Sequence, residues 1–382
     1  MSNSSKPGGT KPGNREFYSQ LEGLRGVAVF LVMISHFVVN PYLPQYQNLA
    51  FGFWGVNLFF VLSGFLITEI LLNDVYNELG RGPILKKFYI RRTLRIFPIY
   101  YLSILVLYFA NAEGAREATI YAATYTYNWY NFLTGEFVIP MSHFWSLCVE
   151  EQFYLIWPML LIITPPRHHL KLIILMLAIG FGSRLLYVGL HMENYSKYVY
   201  TTPACFDCLG MGALLAWLKI NRPEVLRRVL KPWAMPVVFV ALGILVCVVG
   251  HEFFYILGML FTAIVGFYLI GNGSVHKPTY FGKMLNNGLL RFTGKISYGV
   301  YVYHWILFTL FHDAIAGWLR DVLSSIPGLA ILKYNVYIPV FIVMVLFTLA
   351  VSYVSFTFIE LPVMRLRGYF EKPRETKITV AE

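Results

Sequence analysis

The chain has 382 residues, of which 57% are hydrophobic and only 13% charged, with a mean hydropathy of +0.58. Soluble domains average about 45–50% apolar and about 25% charged residues. No aqueous core of this size hides the difference, which excludes a soluble enzyme, a disordered chain and a disulfide-rich secreted scaffold. The net charge of +11 has to be tested against membrane topology before nucleic acid, because Lys and Arg collect on the cytoplasmic side of membrane proteins.

In chain order, residues 1–17 are polar and read as a disordered cytoplasmic tail. They are not a signal peptide, since the apolar stretch starts late and no cleavage site follows. A spanning helix needs about 20 apolar residues. About ten segments qualify, some of them short: 24–40, 53–72, 96–111, 145–164, 170–190, 204–219, 235–250, 253–271, 297–312 and 336–359. The stretch 119–133, with Tyr121, Tyr125, Tyr127, Trp129 and Tyr130, is too polar to span and reads as interfacial or re-entrant. The expected fold is therefore all-α, a polytopic membrane protein with about ten transmembrane helices. Residues 18–362 form its membrane domain and 363–382 a basic cytoplasmic tail.

With the N-terminus inside, this arrangement puts 26 of the 31 Lys and Arg residues in inner segments and four in outer loops, with Arg184 left inside a span. Such a split predicts cytoplasmic N- and C-termini in a multi-pass protein of the inner membrane. It also accounts for the charge without nucleic acid. No glycine-rich phosphate loop and no repeat of fixed period is present. Cys148, Cys205, Cys208 and Cys247 lie in or beside apolar runs. Cys205-x-x-Cys208 has no second ligand pair, so buried thiols are expected and no metal site.

Ionisable groups inside spans are costly and usually face a cavity. They are Arg25, His36, Glu69, Glu150, Glu151, Arg184, Asp207 and His304. Arg25 and His36 return to nearly the same face of the first helix, about 16 Å apart along it. One stripe thus carries a cation near the cytoplasm and an imidazole toward the outer leaflet. The fourth span enters from outside, which places Glu150 and Glu151 near the depth of His36. Histidine is the usual general base near neutral pH, and a carboxylate orients it. Adjacent glutamates differ by about 100° around a helix, so only one of them can face His36. The run Lys86–Arg95 has two open readings: an ordinary positive-inside loop, or a phosphate-binding patch in which Arg91 and Arg95 share a helix face.

These residues resemble a known family. Leu21–Ala28 followed by His36 is similar to the opening signature of the acyltransferase-3 family of integral membrane acyltransferases. Phe59–Ile67 resembles its second-helix motif, Arg91-Arg92 through Pro98 its basic motif, Trp145–Tyr154 its acidic motif, and Ile296–Tyr301 with His304 its ninth-helix motif. The resemblance covers about residues 18–360. It implies transfer of an acyl group, commonly acetyl from acetyl-CoA, to a hydroxyl of a glycan or other cell-surface molecule. It also implies that Arg25 and His36 are essential and that Glu150 or Glu151 supports the chemistry. The family's usual arginine two residues before Asp207 is Cys205 here.

On this reading Arg25, Arg91, Arg92 and Arg95 hold the phosphates of acyl-CoA. His36 acts as base, or as nucleophile through an acyl-histidine, and Glu150 or Glu151 orients it. Ser63, Tyr154, Asp207, Tyr298 and His304 are further candidates, with an interhelical hydrogen bond as the other reading, the commoner one for a serine or tyrosine in a span. The expected partners are acyl-CoA, a glycan or lipid-linked saccharide acceptor and membrane lipids, with a separate partner protein or a second copy left open. The acceptor itself is not named: O-antigen, exopolysaccharide, peptidoglycan, a lipid and a small molecule all remain. The rival reading is a transporter or flippase of lipid-linked sugars, which predicts an internal inverted repeat that the sequence does not display.

Overall fold

A computed structural model describes residues 18–45, 50–77, 80–112, 114–190, 195–231, 251–275, 280–326 and 336–371, with single positions at 237, 240 and 244. The described residues are almost entirely helical and include no strand. The elements that matter here are α1 (Ser19–Tyr42), α2 (Phe51–Tyr76), α3 (Arg81–Phe109), α4 (Ala115–Ala123), α5 (Tyr127–Thr134), α6 (Phe144–Ile163), α7 (Pro166–Gly189), α8 (Pro203–Asn221), α9 (His251–Val275), α10 (Gly288–Lys295), α11 (Ser297–Ser325) and α12 (Tyr337–Phe370).

Among the described residues eight helices are long and apolar enough to cross a membrane: α1, α2, α3, α6, α7, α8, the Leu257–Ser274 part of α9, and α12. The protein is an all-α, multi-pass membrane protein. The expected span 297–312 lies within α11, which is long but less apolar because it carries His304, His312, Asp313, Arg320 and Asp321. The expected span 235–250 and the two terminal tails lie outside the described residues, apart from single positions and the start of the C-terminal segment.

Burial orders the bundle. Of the most apolar window of α2, 72% is buried, against 22% for α7, so α2 is the central helix and α7 a peripheral one. Without a hydrophobic drive between helices in lipid, close backbone approach has to hold them together. Gly64 on α2 and Gly212 on α8 provide it. A Cβ at Gly64 would overlap the carbonyl of Leu209, and one at Gly212 would overlap that of Val61. Gly64→Ala is expected to cost about 1–3 kcal/mol through overpacking. Gly82→Ala, which meets nothing within 4 Å, should be neutral. Denaturation midpoints of the two variants in detergent check this. The exposed large apolar side chains, such as Leu105 and Phe109 on α3, Leu155 and Ile163 on α6, and Leu186 on α7, are the lipid-facing set.

The stretch 119–133 is neither a span nor a plain interfacial belt. It folds as α4 and α5 and packs inward, with Tyr127, Asn128 and Asn131 fully buried. Its polarity is used internally. Asn128 donates to Thr202 Oγ1 at 3.1 Å, and Gln152 of α6 donates to Asn128 Oδ1 at 2.9 Å and to the Tyr125 carbonyl at 2.6 Å. Cys148, Cys205 and Cys208 are free and buried.

Candidate active site

The basic run is part of a helix rather than a loop. α3 begins at Arg81, so Arg92 and Arg95 project from one face, three residues apart. With Arg25 of α1 and Glu150, Glu151 and Tyr154 of α6, they line a cavity of about 820 Å³, its mouth included. Ser63, Tyr298 and Tyr301 line it too. Arg91 is not among the lining residues. The guanidinium of Arg92 stands 5.1 Å over the ring of Tyr154.

A hydrogen-bond chain organises the acidic side of the cavity. Ser63 Oγ donates to Glu150 Oε1 at 2.7 Å and lies 2.9 Å from the Tyr154 hydroxyl, which is left to donate to it. Oε1 of Glu151 is buried with no hydrogen-bond partner among the described residues. Tyr298 donates to the carbonyl of Ile96 at 2.9 Å, tying α11 to α3.

His36 lies on a π-helical turn, Ser35–Val39, interrupting α1. Such turns re-aim side chains and recur at functional sites. From sequence, a carboxylate is expected beside His36. The structure places His304 there instead: His36 Nδ1 is 2.8 Å from His304 Nε2, and the two rings stack at 5.0 Å. Depth explains the difference. His143, just before α6, has its ring 5.1 Å from that of His304. Glu150 is seven residues further along, about 10 Å of helix. That lowers it to the level of Ser63 and away from His36.

Asp207 does not line the cavity. It forms a buried two-point ion pair with Arg184 of α7, at 3.0 Å and 2.5 Å, with both side chains at 2% exposure or less. The carboxylate two residues after Cys205 thus takes its guanidinium partner from a neighbouring helix. Glu69 is likewise neutralised, by Lys219 at 2.8 Å and the Tyr18 hydroxyl at 2.9 Å.

Several residues near the site were not singled out from sequence. Glu360, on a second π-helical turn at Phe356–Glu360, is 3% exposed and lies within electrostatic range of Arg95. Its signal was a carboxylate at the end of the last span. The Trp305 ring packs 4.7 Å from that of His36. Ser146 and Tyr301 share a 2.5 Å hydrogen bond at the cavity wall. The Ser146–Tyr301 contact joins residues 155 apart in sequence, and no local pattern announces it. Among the described residues no group of three or more His, Cys, Asp or Glu side chains is arranged to hold a metal ion.

Comparison with known proteins places the chain. The model of the family described as "Acyltransferase domain" matches residues 18–357. The peptidoglycan O-acetyltransferase OatA of Listeria monocytogenes is 30% identical over 381 residues, covering 92% of this chain and 56% of the relative. The O-acetyltransferase OatA of Staphylococcus aureus is 29% identical over 376 residues, covering 91% of this chain and 57% of the relative. The chain therefore spans little more than half the length of these relatives. No solved structure matches.

Proposed function

The chain belongs to the acyltransferase family whose model covers residues 18–357, and from that premise we propose that it transfers an acetyl group from cytoplasmic acetyl-CoA to a hydroxyl of a cell-surface glycan. The names of the relatives, one of them a peptidoglycan O-acetyltransferase, support a glycan acceptor. The observation that carries the reading is the cavity in which Arg25 of α1 converges with Arg92 and Arg95 of α3, Arg25 standing on the same helix as His36. Guanidinium forks suit phosphate oxygens. The residues present fit a nucleotide thioester whose phosphates meet the arginines and whose acyl end points along α1.

His36 is the base in this reading. The acceptor hydroxyl gives its proton to His36, and its oxygen attacks the thioester carbonyl. The new C–O bond forms, the C–S bond breaks, and the leaving thiolate takes the proton from the imidazolium. Glu150 and Glu151 act on the arginine side of the site and not on His36. The chain Tyr154–Ser63–Glu150 holds one carboxylate beside Arg25 and Arg92, where it restrains the cations between donor turnovers. The protein works in the inner membrane with its arginine face toward the cytoplasm.

Donor affinity tests the reading. Losing a charge-assisted hydrogen bond costs about 1.5–3 kcal/mol, so Arg25→Ala should weaken acetyl-CoA binding about 10–150-fold. Arg25→Lys, a point charge without the fork, should fall between. Unchanged affinity in Arg25→Ala, measured by calorimetry on purified protein, removes the phosphate role.

A further inference from the structure

We infer that His304 sets the proton position on His36, leaving the lone pair on His36 Nε2, the nitrogen that takes the acceptor's proton; this rests on the reading of His36 as base. His304 Nδ1 lies 2.7 Å from the carbonyl oxygen of Tyr301. A carbonyl only accepts, so Nδ1 of His304 bears the hydrogen. In a neutral imidazole the other nitrogen then has the lone pair. His304 Nε2 therefore accepts from His36 Nδ1 at 2.8 Å, and His36 Nε2 is left unprotonated.

The opposite arrangement needs a doubly protonated His304 that donates to His36. His304 is fully buried, and its hydrogen-bond partners are the backbone carbonyls of Tyr301 and Val300 and the His36 imidazole. No carboxylate is bonded to it. A cation so placed would carry an uncompensated charge in a buried site, which is strongly unfavourable. Proton positions follow here from the network of partners, and the network admits one neutral solution.

The packing keeps His304 from turning. The His36 and His304 rings are within 7° of parallel. The ring of His143 meets His304 edge-on at 5.1 Å, and Phe37 lies 6.1 Å away. His143 Nε2 is itself tied to the carbonyl of Val302 at 3.0 Å. On the far side of His36 stands Gly52, where a Cβ would lie 4.0 Å from His36 Nε2, so glycine there keeps a side chain off the lone pair. Among the described residues no side chain or carbonyl hydrogen-bonds that nitrogen. His304 is thus a positioning residue, doing for His36 what a carboxylate commonly does for a catalytic imidazole.

The test uses the full chain in detergent or nanodiscs with acetyl-CoA and an envelope glycan extract. His304→Phe keeps a ring but removes the acceptor, and should lower kcat about 10–100-fold with the KM for acetyl-CoA unchanged. His304→Gln, whose amide oxygen can accept from His36 Nδ1, should restore most of that loss. An unaltered kcat in His304→Phe, or equal losses in both variants, overturns the inference. Nitrogen-15 spectra of histidine-labelled wild-type protein, with His36 assigned by its absence from His36→Ala, give a readout independent of variant folding. A protonated Nδ1 and bare Nε2 are expected, and the reverse overturns the proposal. A fully active His36→Ala would instead remove the base reading itself.

Discussion

His36→Ala should lose acetyl transfer by about 10²–10⁴-fold, the usual contribution of a positioned general base, while binding acetyl-CoA as tightly as the wild type. The split follows from geometry. His36 is not among the residues lining the arginine cavity, and its ring contacts are His304 and Trp305. Removing it therefore deletes the proton acceptor and leaves the phosphate site intact. Transfer of radiolabelled acetyl from acetyl-CoA into an envelope extract measures the first quantity and calorimetry the second. Near-normal transfer would end the assignment. Loss of donor binding together with transfer would indicate that α1 itself is disturbed. A transporter without chemistry would move no label in either protein.

The second large effect is on stability. Asp207→Ala should destabilise the protein by about 3–5 kcal/mol, the cost of removing one partner of a buried ion pair. Arg184 is 2% exposed and donates to both carboxylate oxygens of Asp207 and to the Ala204 carbonyl. Without Asp207 its charge stays buried without that carboxylate. The double variant Arg184→Met/Asp207→Leu removes both charges together and should regain most of the loss, because apolar replacements of a buried pair are often neutral. Denaturation midpoints in detergent check both. The double variant should also transfer acetyl, since neither residue lines the cavity. A stable but inactive double variant would give the Arg184–Asp207 pair a part in the reaction.

The fate of particular residues shows how much was legible before folding. Arg25, Glu150, Ser63 and Tyr298 stand out in the sequence by spacing and motif, and they line one cavity. Arg91 and Arg95 were paired by the i, i+4 rule, yet Arg92 and Arg95 line the cavity. Helix periodicity tells which residues share a face but not which face meets the neighbours. The His36–Glu150 contact failed for a related reason. Span limits are uncertain by several residues, and each residue of error moves a side chain about 1.5 Å in depth and about 100° in direction.

Hydropathy and charge distribution by themselves determined that this chain is a helical membrane protein with ionisable groups inside its spans. A membrane core tolerates little but apolar helices, so the constraint is written into almost every residue. Which of those groups touch was decided only by tertiary structure. The partner of His36 is 268 residues away, that of Asp207 is 23 residues away on another helix, and that of Glu150 is 87 residues away. Such pairings depend on helix rotation and crossing within the bundle, set by close contacts such as Gly64 against Leu209. Those contacts sum over the whole interface, and no single stretch of sequence contains them.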